Sequence, residues 1–84
     1  MKITWDEPKR QTNLAKHGLD FADLSLEFFL SAYIEPAKLD RFLAVGEFGG
    51  QIVIAVVYRP LGSEALSVIS MRPASKQERE RADG

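Results

Sequence analysis

The segment that most constrains the fold is a run of seven apolar residues near the middle of the chain, Ile52 to Tyr58. In a strand, this run places apolar side chains on both faces, which is typical of a central strand that is covered on both sides. The run is much shorter than the roughly 20 apolar residues that a membrane-spanning helix requires. We therefore expect it to form the best-protected strand of a sheet.

Patterns on both sides of this run predict the other strands. The predicted strands are Arg41 to Phe48, Gln51 to Arg59 and Ala65 to Arg72, with a candidate edge strand near Ala32 to Glu35. Gly49-Gly50 is typical of a two-residue hairpin turn, and Pro60-Leu61-Gly62-Ser63 is typical of a longer turn. An antiparallel sheet of three to four strands follows.

The turn lengths also predict which residues lie opposite one another. A strict two-residue turn at Gly49-Gly50 places Arg41 opposite Tyr58, and a four-residue second loop places Arg72 opposite Gln51. Arg41 and Arg72 then lie at opposite ends of the sheet, separated by roughly 20 Å at about 3.3 Å per strand residue. We therefore do not expect the two arginines to contact one phosphate together.

Helices are predicted before and after the strands. The first begins at Asp6, which can cap it, carries Pro8 in its first turn and ends at Gly18. The second begins at Asp20 and carries a broad apolar face at spacings of three and four residues. Its apolar residues are Phe21, Leu24, Phe28, Leu26 and Phe29. A short charged helix begins at Ser75, and because it has no apolar stripe we expect it to be a solvated tail.

These elements predict an α+β fold in one domain that spans residues 1–84, with two N-terminal helices packed on the antiparallel sheet and a short C-terminal helix. The chain has no cysteine, so the core must hold it together without disulfides or thiolate metal sites. The N-terminus lacks the apolar stretch of a signal peptide, and we expect a cytoplasmic protein.

Charge is unevenly distributed, although the net charge is only −1. Residues 1–17 carry four basic and two acidic side chains, whereas residues 18–40 carry one basic and five acidic ones. A net charge close to zero argues against a strong general attraction to nucleic acid. A basic N-terminal segment is therefore followed by an acidic one, and the position of the charges is more informative than their sum.

The only histidine, His17, lies on the first predicted helix together with Lys9, Asn13 and Lys16. Steps of three and four residues place these four polar groups along one side of the helix. One interpretation is a solvated face that ends in a cation at the helix C-terminus. The other is a face that binds anions and transfers protons, because lysine attracts phosphate and imidazole titrates near neutral pH. The pattern alone leaves both interpretations open.

Cations near the strand ends are further candidates. Arg72 ends a predicted strand, so its guanidinium could offer a fork of donors to phosphate from a rigid edge. Lys76 and Arg79 alternate with acidic residues, which is typical of a solvated helix. The sequence has neither a phosphate-binding glycine loop nor the ligand spacing of a transition-metal site, so we expect no metal and no cofactor.

Two groups of residues resemble the motifs of a known family. Trp5-Asp6, Lys9, Asn13, Lys16-His17-Gly18 and Phe21 resemble the opening pattern W-D-x-x-K-x-x-x-N-x-x-K-H-G-x-x-F of the BrnT toxins, ribonucleases of type II toxin–antitoxin pairs. The later elements that are similar to this family are Arg41, Gly46, Tyr58, Val68 to Arg72 with Ala74, and Glu78-Arg79. The resemblance covers nearly the whole chain.

The resemblance implies a RelE-like fold and an endoribonuclease that inhibits translation until a cognate antitoxin neutralises it. Enzymes similar to this cleave RNA without a metal, using the 2′-hydroxyl as the nucleophile on the adjacent phosphate. Such chemistry needs a base for the hydroxyl, cations for the charged phosphorane and an acid for the leaving oxygen.

Carried over to this sequence, the resemblance implies roles for individual residues. The implied catalytic residues are Arg72 for the phosphorane, His17 for proton transfer, Lys9 and Arg41. The implied RNA-binding residues are Lys16, Asn13, Lys76 and Arg79. The implied partners are RNA and a ribbon-helix-helix antitoxin. The antitoxin binds DNA, and the toxin contacts DNA only indirectly through it. The alternative is a catalytically silent RelE-like module that acts as partner or corepressor of a DNA-binding antitoxin.

Overall fold

The protein is a five-stranded mixed sheet with helices packed against it, in a computed structural model that describes residues 1–83. The strands are β1 (Lys2–Trp5), β2 (Tyr33–Pro36), β3 (Phe42–Phe48), β4 (Ile52–Leu61) and β5 (Ala65–Pro73). The helices are α1 (Glu7–His17), α2 (Leu26–Ser31) and α3 (Lys76–Asp83), with a turn of 3-10 helix at Phe21–Asp23. The strand order is β1-β5-β4-β3-β2, with β1 parallel to β5 and the other neighbours antiparallel. The predicted α+β class is confirmed.

The central position of the apolar run is also confirmed. β4 lies in the middle of the sheet, and its residues Ile54, Ala55 and Val56 are 0% exposed. Successive side chains point to opposite faces. Ile54 and Val56 therefore join the larger core cluster with α2, whereas Ala55 packs with Leu43 and Val45 in a smaller cluster that α3 covers. These two sides of the sheet are called the α2 face and the α3 face below.

The edge strand β1 makes the sheet larger than predicted. Its four residues are too few to show a periodicity, and they pair in parallel with β5, at the other end of the chain. Thr4 Oγ1 donates a hydrogen bond to the carbonyl of Leu66 at 3.0 Å, while Ile3 and Trp5 pack against the larger cluster. The prediction of an antiparallel sheet with three to four strands is therefore wrong in strand number and in direction at this edge.

The register of the first hairpin differs from the prediction by one residue. Phe42 lies opposite Tyr58 and Phe48 lies opposite Ile52, so that three residues, 49–51, connect β3 to β4. Both glycines of this connection have positive φ, which glycine adopts at no steric cost. The predicted pairing of Arg41 with Tyr58 is wrong, because Arg41 lies just before β3.

The register of the second hairpin differs more strongly. β4 continues to Leu61, which lies opposite Ala65, and residues 62–64 form the connection. An irregularity in the middle of this strand pair adds one further residue to β5. Arg72 consequently lies opposite Ala55, near the centre of the sheet, and the predicted pairing of Arg72 with Gln51 is wrong.

The predicted second helix is two separate elements. Asp20 accepts a hydrogen bond from the N–H of Ala22 and caps the 3-10 turn, and Ser25 accepts one from the N–H of Phe28 and caps α2. Capping side chains favour a new helix start over continuation. The continuous helix from Asp20 is therefore wrong. Four of its five apolar residues are buried, Phe21, Leu24, Phe28 and Phe29, while Leu26 is exposed.

The C-terminal helix is docked on the sheet, so its prediction as a solvated tail is wrong. Glu78 is only 7% exposed, and Ala82 packs against the smaller cluster. Two ion pairs hold the helix, Arg72 to Glu78 at 2.7 Å and Arg81 to Glu35 at 2.8 Å. Pairs of this kind link residues on different elements, and the periodicity of one helix cannot reveal them. No helix within residues 1–83 is long and apolar enough to cross a membrane.

Candidate active site

The open part of the α3 face carries polar side chains on β4 and β5. Residues directly opposite each other on neighbouring strands share a face of the sheet. Ala55 and Val57 pack in the cluster on the α3 face, so the residues opposite them on β5 lie on that face as well. Every second residue along each strand also points to the same face. The pairs on this face are Arg72 with Ala55, Ser70 with Val57, and Ser67 with Arg59. Two arginines and two hydroxyls therefore lie on one surface.

Helix α1 occupies the segment that the sequence predicts. Pro8 lies in its first turn, and Gly18 ends it with a φ of 69°. The N–H of Gly18 donates to the carbonyl of Leu14 at 2.8 Å, which is the usual contact of a left-handed helix cap. The helix therefore presents His17 and Lys16 in its last turn, beside its free carbonyl groups.

A single buried side chain, Asn13, attaches α1 to the edge of β5. Its Nδ2 donates to the carbonyls of Met71 at 2.8 Å and Leu19 at 3.2 Å, and its Oδ1 accepts from the N–H of Met71 at 3.1 Å. β1 ends at Trp5 opposite Val68, so the amide of Asn13 takes the place of a strand neighbour farther along β5. Asn13 is 8% exposed, and the prediction of one solvent-facing side with four polar groups is wrong for it.

The inward position of Asn13 divides the other polar residues of α1. At about 100° per residue, Lys9 and Lys16 lie about 40° and 60° to one side of Asn13, and His17 lies about 40° to the other. Lys9 and Lys16 are exposed, whereas His17 is half-buried. Residues 1–83 contain no hydrogen bond or ion pair that joins His17 to either lysine or to Arg72. The histidine and the lysines therefore face different sides of the sheet edge.

The contacts of Arg10 show which side of α1 lies toward the α2 face and which lies toward the α3 face. It lies about 60° from Asn13, on the same side as His17. Its guanidinium donates to both oxygens of Asp20, at 2.7 and 2.9 Å, and this contact lowers the pKa of Asp20. Asp20 precedes the 3-10 turn, which packs on the α2 face. His17 therefore lies toward the α2 face, and the two lysines of α1 lie toward the α3 face.

Glu78 of α3 holds Arg72 in a defined orientation. Nη1 of Arg72 donates to Oε1 at 2.7 Å, Nη2 donates to Oε2 at 2.8 Å, and Nη1 also donates to the carbonyl of Pro73 at 3.4 Å. A guanidinium has five N–H groups in a planar fork. The two that remain, on Nε and Nη2, lie side by side on one edge of the group. Arg72 therefore keeps a two-donor edge that matches a phosphate.

Glu78 is a residue that the sequence analysis does not select as part of a site. Its Oε1 accepts the N–H of Ser75 at 2.9 Å, and its own N–H donates to Ser75 Oγ at 3.2 Å, which forms a capping box at the start of α3. The hydrogen bonds from Arg72 are the main reason that the pKa of Glu78 falls from 4.5 to about 2. The Ser75-x-x-Glu78 spacing could have indicated the cap, but no sequence signal indicates the contact with Arg72.

The predicted cations Arg41, Lys76 and Arg79, and also Arg59, lie farther from Arg72. Arg41 lies one residue before β3, where the register, continued by one residue, places it opposite Arg59. Arg59 is four residues along β4 from the partner of Arg72, or about 13 Å. Lys76 and Arg79 are exposed on α3. None of the ion pairs within residues 1–83 involves these four side chains.

The part of the α3 face that helix α3 leaves open thus carries several cations. Lys9 and Lys16 border it on the α1 side, Arg72 lies near its centre, and Arg41 and Arg59 lie at its far end. Oriented cations of this kind bind phosphates and stabilise charge that develops on them. In the part of the chain that the structure describes, no group of three or more His, Cys, Asp or Glu side chains is placed to hold a metal ion.

Comparison with known proteins identifies the relatives of this chain. Residues 5–78 match the model of a family described as the ribonuclease toxin BrnT of type II toxin–antitoxin systems. The chain is 72% identical to the ribonuclease toxin BrnT of Brucella abortus, whose crystal structure superposes with a TM-score of 0.86 over 90% of this chain and 99% of that one. A search of curated proteins found no match. The family that the motifs indicate is confirmed: the chain belongs to the BrnT family and is a ribonuclease toxin of a type II toxin–antitoxin system.

Proposed function

We propose that this toxin cleaves RNA on the α3 face, with Arg72 as the cation that stabilises the reacting phosphate. The observation that carries the proposal is the free donor edge of Arg72, made of Nε–H and one N–H of Nη2. A phosphorane gains most from donors that are oriented before the reaction begins, because no reorganisation is needed as charge develops. An oriented cation is thus a group that the ribonuclease activity of the family requires.

The proposed reaction uses the 2′-hydroxyl of the RNA as the nucleophile and requires no metal. The 2′-oxygen attacks the adjacent phosphorus and gives its proton to a base, and a pentavalent phosphorane forms. The bond from phosphorus to the 5′-oxygen then breaks, and that oxygen takes a proton from an acid. The products carry a 2′,3′-cyclic phosphate and a 5′-hydroxyl, and Arg72 compensates the added negative charge between these two steps.

Lys9 and Lys16 are proposed to hold the RNA backbone beside Arg72. Both are exposed on the side of α1 that lies toward the α3 face, two turns or about 10 Å apart. Lys9 borders a groove with Ile69 of β5, which makes it the lysine closer to the sheet and the proposed contact for the reacting phosphate. Lysine contacts of this kind position a backbone without reading its sequence.

The other predicted residues have more distant roles in this proposal. His17 is a candidate for proton transfer only if the RNA passes around the end of α1, because it lies toward the α2 face. Arg41 is proposed to bind a phosphate at the far end of the α3 face, and Lys76 and Arg79 are proposed as peripheral contacts on α3. Asn13 has no proposed contact with RNA, since the hydrogen bonds to Met71 and Leu19 occupy its amide.

The cognate antitoxin of this system is proposed to neutralise the toxin by covering the α3 face with an acidic segment. The cations of that face that have no ion pair within residues 1–83 support this proposal, because complementary charge guides two proteins into one orientation. The resemblance further implies that the toxin has a RelE-like fold and that the antitoxin is a ribbon-helix-helix protein. The toxin would then associate with DNA only through the bound antitoxin. The proposed site of action is the cytoplasm, where the RNA used in translation lies.

The proposed chemistry is tested with a labelled single-stranded RNA that the purified toxin cleaves. We expect cleavage to continue in EDTA, to yield a 2′,3′-cyclic phosphate, and to stop when the nucleotide 5′ of the cleaved bond is replaced by its 2′-deoxy form. The same replacement several nucleotides away is the control and should have little effect. Cleavage of the first deoxy substrate would contradict the proposal, because it requires a nucleophile other than the 2′-hydroxyl.

A further inference from the structure

We infer that Glu78 is a positioning residue for Arg72, which fixes the guanidinium so that its two free N–H groups meet the reacting phosphate. The inference rests on the proposed role of Arg72 and extends it to a residue on another element. The contact joins α3 to the C-terminal end of β5 at 2.7 and 2.8 Å. Glu78 does not itself contact RNA in this inference.

The position of Glu78 is determined by several independent contacts. It is 7% exposed, its Oε1 accepts the N–H of Ser75, and its own N–H donates to Ser75 Oγ. Both of its carboxylate oxygens are also bonded to Arg72. Two parallel hydrogen bonds prevent rotation of a guanidinium about its own axis, which one bond would permit. The free edge of Arg72 therefore has one direction rather than several.

The charge of Glu78 argues for orientation rather than for binding. A carboxylate beside a phosphate site repels the phosphate and cancels part of the positive charge of Arg72. If the α3 face served only to attract RNA, Glu78 would weaken it. Orientation has the opposite effect on the chemical step, because a small misplacement of a catalytic group can cost about a hundredfold in rate. The inference therefore predicts opposite effects of Glu78 on binding and on cleavage.

The second ion pair of α3 is a matched control. Arg81 donates to both oxygens of Glu35 on β2, at 2.8 and 3.1 Å, and so attaches the same helix without touching Arg72. If Glu78 acts only as an anchor for α3, loss of Glu35 should have similar consequences. Glutamine at position 78 can also keep the capping box, because that motif accepts either Glu or Gln. Glu78→Gln therefore removes the pair with Arg72 and retains the helix start.

The experiment compares parent toxin, Glu78→Gln, Glu78→Asp, Glu35→Gln and Arg72→Ala as purified proteins. Binding is measured with the RNA whose cleavage is blocked by the 2′-deoxy replacement, and cleavage is measured with the unmodified RNA in single turnovers. We expect Glu78→Gln to cleave about tenfold more slowly or worse and to bind as tightly as the parent or more tightly. Glu78→Asp keeps the charge but is too short for both bonds, so it should cleave slowly with unchanged binding. Glu35→Gln should change neither quantity by more than about twofold.

Each other outcome overturns a distinct part of the inference. Faster cleavage by Glu78→Gln would make Glu78 an inhibitory anion, and equal losses in Glu78→Gln and Glu35→Gln would make it an anchor of α3. If both Glu78 variants cleave like the parent while Arg72→Ala is inactive, the inference is wrong and the proposed function stands. If Arg72→Ala cleaves like the parent, the proposed function itself is wrong. Circular dichroism melts of all five proteins identify any variant that is unfolded.

Discussion

At the scale of single residues, Asn13 shows how one amide decides the position of a whole helix. Two of its three hydrogen bonds satisfy the N–H and the carbonyl of Met71, at a point where β5 has no strand neighbour on this side, and the third satisfies the carbonyl of Leu19. Buried backbone groups are costly when they have no partner. The location of Lys9 and Lys16 on the α3 face depends on this attachment, because all three residues lie on the same helix.

We predict that Asn13→Ala lowers the free energy of unfolding by about 2 to 6 kcal/mol, because two buried backbone groups of Met71 lose their partner at about 1 to 3 kcal/mol each. Thr12→Ala is the control on the same helix, since Thr12 is exposed and should change stability by less than about 0.5 kcal/mol. Urea unfolding of both variants measures the difference. Equal stability of Asn13→Ala and the parent would show that other contacts hold α1.

Whether the sequence indicates the role of a residue depends on how distant its contact partners are along the chain. Helical spacing makes Lys9 and Lys16 candidates, and the predicted strand end makes Arg72 a candidate, but their proposed roles come from the resemblance to the BrnT toxins. Asn13 belongs to the same helical pattern, but its partner Met71 is 58 residues away. Glu78 lies on a helix of charged residues that has no apolar stripe. A pattern that treats each element separately cannot distinguish such residues from solvated ones.

At the scale of elements, α3 is attached by charge where a helix usually offers an apolar face, and this makes its attachment sensitive to pH. The pKa of Glu78 is about 2 in the folded protein, below its ordinary value of 4.5, mainly because of the hydrogen bonds from Arg72. A carboxylate with a lowered folded pKa binds a proton more weakly when folded than when unfolded. Its contribution to stability is therefore present above about pH 4.5 and is lost as the pH falls toward 2.

We predict that the melting temperature of the parent falls more steeply between pH 5 and pH 3 than that of Glu78→Gln, which has no carboxylate to protonate at this position. Other acidic residues titrate in both proteins, so the difference between the two curves isolates Glu78. Thermal melts followed by circular dichroism across this range make the comparison. Parallel curves would show that the pair with Arg72 adds no stability to the folded protein.

Long elements with a uniform pattern of apolar residues could be predicted from the sequence, whereas short elements could not. β4 is apolar at every position of its central run, so its burial on both faces follows from the sequence. β1 has four residues and a distant parallel partner, and it leaves no pattern. The connection at Gly49-Gly50 includes one residue more than its sequence indicates, and the irregularity in the middle of β4 and β5 has no sequence signature. Errors in register accumulate from such small differences, and as a result the predicted partner of Arg72 on β4 is Gln51, whereas the observed partner is Ala55.

At the scale of the whole molecule, a net charge of −1 does not describe the local distribution of charge on the α3 face. Cations that have no ion pair within residues 1–83 lie on this face, and Glu35 and Glu47 share it with their strand partners Leu43 and Val53. Local potential, and not net charge, decides where a polyanion binds. The net charge alone therefore does not exclude the RNA site that we propose on the α3 face.

The measurement that tests this site most directly is RNA cleavage by purified Arg72→Ala, Arg72→Lys and Arg41→Ala. We predict that Arg72→Ala loses about a hundredfold or more in rate, as expected when an oriented cation is removed from a phosphoryl transition state. Arg72→Lys should recover little, because an ammonium cannot both pair with Glu78 through two bonds and present a second fork. Arg41→Ala should lose less, since it lies at the far end of the α3 face. With all variants shown to be folded by circular dichroism, parent-like cleavage by Arg72→Ala together with an inactive Arg41→Ala would contradict the proposed site and would move the reaction to the end of the sheet beside Arg59.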